Sequence, residues 1–142
     1  MSQAAQELLT IQNQKMKKPI FTSKAPAALG PYSQAVQWGD VVFISGQIPL
    51  NPENGQLNNA TFEDETNQVL DNLEAICQEV GGTLDHILKL TIYLTDLSKF
   101  EIVNSIMASR FSEPFPARAT LEISKLPKEV SIEIDAILSI TI

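Results

Sequence analysis

The sequence predicts a single α+β domain in which a mixed β-sheet carries two helices on one of its faces. The chain has 142 residues, which is the length of one domain. Segments in which apolar and polar residues alternate occur before, between and after two segments of helical periodicity. Apolar residues make up 44% of the chain and charged residues 19%, a balance typical of a globular protein with a sizeable core.

The first eighteen residues, "MSQAAQELLTIQNQKMKK", are interpreted as an extension outside the domain. Their lysines follow the mildly apolar part, which is the reverse of the order in a secretory signal. We expect residues 1–18 to be either helical or disordered, and the domain itself to span residues 19–142.

Two strands joined by a tight turn are expected at the start of the domain. Residues 32–38 and 41–47 are rich in β-branched and aromatic side chains, and Gly39-Asp40 lies between them. A leading glycine suits a type II′ hairpin turn. Pro52 and Asn54-Gly55 then indicate an exposed loop.

A first helix is predicted over residues 61–80. Acidic residues occupy its first turn, where the helix dipole favours negative charge, and Gly81-Gly82 can end it. Cys77 belongs to its apolar stripe and is expected to be a buried small side chain. The stripe recurs at three- and four-residue steps and consists of Phe62, Thr66, Val69, Leu73, Ile76, Cys77 and Val80.

A third strand and a second helix follow. In "HILKLTIYLT", residues 86–95, every second position is apolar, which predicts one buried face made by Leu88, Leu90, Ile92 and Leu94. His86 is expected to have a structural or solvated role. The spacing of Ser98 and Glu101 is that of a capping box, which would begin a helix with Phe100, Val103, Met107 and Phe111 on its inner face.

The stretch "PARATLEISKLPKEVSIEIDA", residues 116–136, is interpreted as two more strands. If residues 126–129 form a four-residue loop, the strands pair as a hairpin. Glu122 then faces Glu133, Thr120 faces Asp135, and Arg118 lies on the same charged face. Two interpretations of Arg118 remain open: a solvated charge paired with a carboxylate, or a ligand-binding residue whose planar fork holds a substrate carboxylate.

Composition excludes several classes of function. The net charge is −7 and the ten lysines and arginines are scattered, which disfavours nucleic-acid and anionic membrane partners. With one cysteine and one histidine, a single chain can form neither an internal disulfide nor a Cys/His zinc site. No apolar run approaches the ~20 residues of a membrane span. A cytoplasmic location is expected, as is an oligomer that covers the sheet face without helices.

Four segments are similar to those of a known family: "APAALGPYSQAV", "FISGQIPLNPENG", "LTIYLTDLSKFEIVN" and "FPARATLEISKLPKEVSIEIDAI". They resemble the RidA (YjgF) family of reactive-intermediate deaminases over about residues 20–140. The resemblance implies a chorismate-mutase-like α+β fold with a six-stranded mixed sheet and two helices on one side. It also implies a homotrimer that closes a central barrel and binds its ligands between subunits.

The implied reaction is hydrolysis of 2-iminobutanoate and 2-iminopropanoate, or of their enamine tautomers, to 2-keto acids and ammonia, without a cofactor or metal. By the same resemblance Arg118 grips the substrate carboxylate and Glu133 positions the attacking water. Thr120 stands where many members have cysteine, so that backbone contacts there are kept and any role of a thiol is lost. The remaining implied substrate-binding residues are Tyr32, Ser45, Gly46 and Asn104, with Tyr32 either donating a hydrogen bond or closing the pocket.

Two other functions are weighed against deamination. A trimer that binds small keto or amino acids without turning them over would need Arg118 but not Glu133. RNA cleavage, an activity attributed to some relatives, is disfavoured by the acidic charge and by the lack of a histidine pair.

Overall fold

The computed structural model describes residues 1–14 and 16–140 of the chain. Lys15 of the expected extension and the last two residues of the expected domain lie outside this part. The helices and strands, in chain order, are α1 (Gln3–Gln14), β1 (Lys18–Ile20), β2 (Ala35–Trp38), β3 (Val41–Gln47), α2 (Phe62–Glu79), β4 (Ile87–Leu94), α3 (Phe100–Arg110), β5 (Ala117–Glu122) and β6 (Ile132–Ser139).

The six strands form one mixed sheet in the order β1-β2-β3-β6-β4-β5. Neighbouring strands are antiparallel except β4 and β5, which are parallel. The α+β class and the six-stranded mixed sheet are thereby confirmed. The sequence alone had indicated five strands, because β1 has only three residues and is too short to show a period.

Helices α2 and α3 pack on one face of the sheet, as predicted. Leu90, Ile92 and Ile134 point toward these helices and are fully buried. They belong to one apolar core with Leu73 and Val103 of the two helices. Burial of this apolar area is the main favourable contribution to folding, at about 25 cal/mol per Å². In the part of the chain that the structure describes, no helix is both long and apolar enough to cross a membrane.

The opposite face of the sheet is left uncovered in the single chain. Large apolar side chains lie on it, and Trp38, Phe43 and Leu121 are each about half exposed, at 53%, 48% and 47%. An exposed apolar surface of this kind is typical of an interface. The expected self-association therefore has a suitable surface, although the association itself stays a prediction.

Helix beginnings follow the sequence for α2 but not for α3. The side chain of Thr61 accepts a hydrogen bond from the Asp64 N–H and caps α2, which confirms the first helix. At α3 the expected capping box at Ser98 is wrong. Asp96 instead accepts from the Ser98 N–H at 2.9 Å and begins a 3-10 turn that leads into the helix at Phe100.

One residue of β4 lies on the unexpected face. Leu88 was expected in the core but is 54% exposed, whereas Ile87 is buried. The cause is an irregularity in the pairing of β4 with β6 between Ile87 and Lys89, which shifts the alternation by one residue. The buried positions Leu90, Ile92 and Leu94 were predicted correctly.

The expected hairpin of residues 116–136 is wrong, because β4 lies between β5 and β6. Glu122 pairs with Leu94 and Glu133 with Tyr93, so the expected pairs Glu122–Glu133 and Thr120–Asp135 do not form. Consecutive strands are neighbours in most sheets, which is why a hairpin was expected. Here the chain between β5 and β6 crosses over the end of β4 instead.

Candidate functional site

Arg118 lies on the helix-covered face of β5, where its register partner is the buried Leu90. Its guanidinium lies 4.8 Å from the centre of the Phe100 ring. Nη1 donates a hydrogen bond to Oδ1 of Asn104 and lies 3.7 Å from the sulfur of Met107. These three residues are spaced by four and three positions, so one stripe of α3 fixes the orientation of the guanidinium.

Arg118 is exposed in the single chain, but the carboxylate partner of the solvated interpretation is absent, because the guanidinium forms no ion pair with any residue of segments 1–14 and 16–140. Within those segments only Nη1 has a hydrogen-bond acceptor. The remaining N–H groups of the fork suit a carboxylate, which can accept two parallel hydrogen bonds. The guanidinium borders a cavity of about 430 Å³, here called the arginine cavity, lined by Asn104, Met107, Ala108, Phe115, Pro116 and Arg118.

Glu133 belongs to a second cavity, of about 230 Å³, here called the glutamate cavity. Its register partner is Tyr93, so it lies on the sheet face that the helices leave open. Tyr32, Gly46 and Lys128 also line this cavity. The expectation that Arg118 and Glu133 share one face is therefore wrong, since Arg118 lies on the helix-covered face.

Gly46 allows the Glu133 carboxylate to lie against the backbone of β3. The pairing of β3 with β6 shifts between Ile44 and Gln47, which marks a bulge at Ser45-Gly46. A Cβ atom at Gly46 would lie 2.8 Å from Cδ of Glu133 and still closer to one carboxylate oxygen. Any side chain at residue 46 would therefore displace the Glu133 carboxyl group from this position.

The carboxyl group of Glu133 has a raised pKa. Partial burial is the largest cause, and the negative charge of Asp135 on the same face adds to it. Asp135 in turn accepts a 3.0 Å hydrogen bond from the Tyr93 hydroxyl, which raises the pKa of Tyr93. A carboxylate with a raised pKa in a cavity is a better proton acceptor than an exposed one.

The position of Tyr32 is set by a buried glutamine that sequence reasoning missed. The Gln34 side chain accepts from the Thr22 N–H at 2.8 Å and donates to the carbonyls of Thr22, Ala25 and Pro26. A polar residue at a buried position beside apolar Ala35 and Val36 was the available signal. Its four bonds hold the segment that leads into Tyr32 at the wall of the glutamate cavity.

The other expected site residues have separate places. Asn104 contacts Arg118 directly, as described above. Ser45 donates from Oγ to the Ser33 carbonyl at 2.6 Å, which supports the segment next to Tyr32. Thr120 lies on the face of Arg118, and its buried hydroxyl oxygen has no hydrogen-bond partner among residues 1–14 and 16–140. A buried hydroxyl without a partner is costly unless a ligand satisfies it.

Cys77 and His86 are confirmed as structural residues. Burial raises the pKa of the Cys77 thiol to about 12, and Nδ1 of His86 accepts a hydrogen bond from the Thr83 N–H at 2.9 Å. Over the described segments, no group of three or more histidine, cysteine or acidic side chains is arranged to hold a metal ion.

The native protein is expected to resist thiol reagents. Only the thiolate reacts, and a buried thiol with this pKa has almost none of it at pH 8. Mass spectrometry after incubation with iodoacetamide should show unmodified protein, and one added group per chain after unfolding. Rapid alkylation of the folded protein would contradict the burial of Cys77.

The fold and the two cavities define a small α+β protein with an arginine-lined cavity on one sheet face and a carboxyl-lined cavity on the other. The family described as Endoribonuclease L-PSP matches residues 22–140 of the chain. Together with the relatives described next, this match shows that the chain belongs to the RidA (YjgF) family.

Curated relatives and a solved structure agree with this assignment. The chain is 46% identical over 122 residues to a RutC family protein of Pyrococcus horikoshii, which covers 86% of the chain and 97% of the relative. It is 43% identical over 125 residues to the 2-iminobutanoate/2-iminopropanoate deaminase of Escherichia coli K12, covering 86% and 97%. The crystal structure of RidA from the Antarctic bacterium Psychrobacter sp. superimposes with a TM-score of 0.83 at 45% identity, covering 87% and 99% of the two chains.

Proposed function

We propose that this protein hydrolyses 2-iminobutanoate and 2-iminopropanoate to the 2-keto acids and ammonia in the cytoplasm. The observation that carries the proposal is the Glu133 carboxyl, whose pKa is raised and which occupies the space beside Gly46 in the glutamate cavity. The named Escherichia coli relative supports the substrate class. The oriented guanidinium of Arg118 supports a substrate that carries a carboxylate.

The proposal includes a site shared between copies of the chain. Arg118 and Glu133 lie on opposite faces of one sheet, with β4 between their strands. Within one chain they cannot hold the two ends of a molecule as small as an imino acid. In a homotrimer, the expected assembly, Arg118 of one copy would meet Glu133 of its neighbour, and the apolar open faces would be buried together.

The proposed reaction needs few catalytic groups because an imine carbon is already electrophilic. Arg118 holds the substrate carboxylate, and Glu133 orients a water molecule and accepts its proton as the oxygen bonds to the imine carbon. The imine nitrogen takes up a proton as its π bond breaks, which gives a carbinolamine. Glu133 then passes the proton that it accepted to the amine, the C–N bond breaks so that ammonia leaves, and the hydroxyl loses its proton to solvent as the carbonyl forms.

The remaining residues of the proposed site orient the participants. Asn104 and Phe100 restrict Arg118, so less conformational freedom is lost when the carboxylate binds. Thr120 has an unsatisfied hydroxyl on the same face and is proposed to bind the same carboxylate. Tyr32 is proposed to close the glutamate cavity over the substrate.

A coupled assay tests the proposed reaction. A purified threonine dehydratase generates 2-iminobutanoate, and semicarbazide competes for the imine, so the protein should increase the yield of 2-ketobutyrate over that of the semicarbazone. The Glu133→Gln variant, added at the same concentration, is the matched control. No change in the ketobutyrate yield with wild-type protein would contradict the proposal.

One alternative has an observation in its favour. The arginine cavity is formed within one chain, so the protein could bind small keto or amino acids without using Glu133. Binding of 2-ketobutyrate by the wild-type protein without any turnover of imine would favour this regulatory function. RNA cleavage gains nothing from the structure, because His86 is held by Thr83 away from both cavities.

Gly46→Ala is expected to lower kcat about 10- to 100-fold while the fold remains intact. The added Cβ collides with the end of the flexible Glu133 side chain, which can move away without disturbing the core. Gly82→Ala is the matched control, because its Cβ would meet other atoms no closer than 3.5 Å. Steady-state kinetics and thermal unfolding of both variants check this, and equal activity of the two variants would exclude the close approach.

A further inference from the structure

The turn that leads from β5 to β6 holds two consecutive residues in an unfavourable backbone conformation. Lys128 has φ 57° and Glu129 has φ 58°, both in the left-handed region that favours glycine. The Cβ atom of an ordinary residue crowds the backbone in this region. Two such residues in succession indicate that the surrounding structure imposes the conformation.

The flanks of the turn impose this conformation. Leu126 and Val130, on either side, are buried. The Glu129 N–H donates to the Leu126 carbonyl at 3.1 Å, and the Val130 N–H donates to the Pro127 carbonyl at 3.3 Å. The two buried flanking residues and the two short-range hydrogen bonds therefore hold Lys128 and Glu129 in the left-handed region.

The turn places the Lys128 side chain at the glutamate cavity. Lys128 lines the glutamate cavity together with Glu133 and Tyr32, and no other lining residue in the described part of the chain is a cation. In the single chain this side chain is exposed and forms no ion pair with residues 1–14 or 16–140. It is therefore a free positive charge at the rim of a cavity that contains a carboxyl group.

The positive charge of Lys128 lies on a chain that is otherwise strongly acidic. The chain carries a net charge of −7, and Glu133 and Asp135 lie together on the open face. A substrate that carries a carboxylate would be repelled as it approaches such a surface. A cation at the rim offsets this repulsion and increases the rate of productive encounters, without taking part in bond making.

We propose that Lys128 captures anionic substrate: the turn at residues 126–130 holds its ammonium at the rim of the glutamate cavity, where it attracts the carboxylate of a small 2-imino or 2-keto acid. This inference rests on the proposed function, whose site contains Glu133. Arg118 then binds the carboxylate in the assembled site. Lys128 acts before the chemical step, so it affects kcat/KM and not kcat.

Three variants test the proposal. Lys128→Gln removes the charge and should lower kcat/KM about 3- to 10-fold at low ionic strength, with kcat unchanged. At about 0.5 M salt, where charges are screened beyond about 4 Å, the difference from wild type should disappear. Lys128→Arg should retain wild-type kcat/KM. Glu129→Gly relieves strain but keeps Lys128, and should raise the melting temperature without a change in kcat/KM.

Calorimetric titration with 2-ketobutyrate, at the same two salt concentrations, separates this inference from the proposed function. Wild-type turnover with equal kcat/KM in Lys128→Gln would overturn the capture function alone, as would a loss confined to kcat. No turnover by wild type, but weaker ketobutyrate binding by Lys128→Gln at low salt, would overturn deamination and support capture of an anion. Neither turnover nor binding by the wild-type protein would overturn both.

Discussion

Glu133→Gln is expected to lower kcat at least about 100-fold, because glutamine can hold a water molecule but cannot accept its proton. The same variant should melt at a higher temperature than wild type at neutral pH. Burial and the charge of Asp135 raise the pKa of Glu133, so its ionised form is less favourable in the folded protein than in the unfolded chain. Steady-state kinetics and calorimetry on one preparation measure both effects.

The effect of Glu133→Gln on the free energy of unfolding should depend on pH. A carboxyl with a raised pKa destabilises the folded state above that pKa, and below the ordinary range of glutamate it is protonated in both states. The stability gain of Glu133→Gln should therefore be present at neutral pH and absent in acid. Asp135→Asn should lower the pKa of Glu133 and move the acid limb of the kcat profile to lower pH. An unchanged acid limb would contradict the influence of Asp135.

Arg118→Lys is expected to lower kcat/KM about 10- to 100-fold, since a hydrogen bond to a charged group contributes about 1.5–3 kcal/mol. Lysine cannot form two parallel hydrogen bonds to a carboxylate, nor can it keep the planar contact with Phe100. The loss should occur mainly in KM and in the calorimetric affinity for 2-ketobutyrate. Wild-type affinity in this variant would exclude a carboxylate clamp at Arg118.

Arg110→Ala is the matched control for the loss of an arginine. Arg110 forms salt bridges at 2.8 and 2.9 Å with Asp71 and Glu74 and also donates to the Asn67 carbonyl, so it joins α3 to α2. This variant should melt at a lower temperature and keep wild-type KM. The two arginines thus separate stability from binding, and an equal increase in KM for both variants would mean that Arg118 acts only through the fold.

Much of the helical half of the fold could be predicted from the sequence. The stripe of α2 and the inner residues of α3, such as Val103 and Met107, follow a 3.6-residue period that has one physical meaning, burial against a sheet. Local signals also placed the turn at Gly39-Asp40 between Trp38 and Val41, and the φ of 60° at Gly39 has the positive sign that a type II′ turn requires at its first central residue.

The strand order could not be predicted in the same way, and β5 shows why. Leu121 belongs to the apolar side of β5, which alternation alone would assign to the core, but it is 47% exposed on the open face. Arg118 belongs to the polar side, yet it lies against α3. Because the open face of the sheet also carries large apolar side chains, alternation does not tell which face is the core.

The candidate site was predictable only in part. Gly46 interrupts a β-branched strand, a pattern typical of a bulge or of close approach to the backbone, and the pairing of β3 with β6 shifts there. The roles of Arg118 and Glu133 came from the family resemblance, and their placement on opposite faces required the strand register. Lys128 carried no signal, because its importance depends on a backbone conformation that ordinary residues rarely adopt.

If Arg118 of one copy and Glu133 of another form each proposed site, two inactive variants should restore activity to each other in mixed oligomers. Arg118→Ala and Glu133→Gln, each inactive when refolded alone, are unfolded together in equal amounts and refolded as mixed oligomers. In a closed ring, roughly a quarter of the interfaces then combine both native residues, so about a quarter of wild-type kcat should return. A mixture as inactive as either variant alone would contradict a site shared between copies.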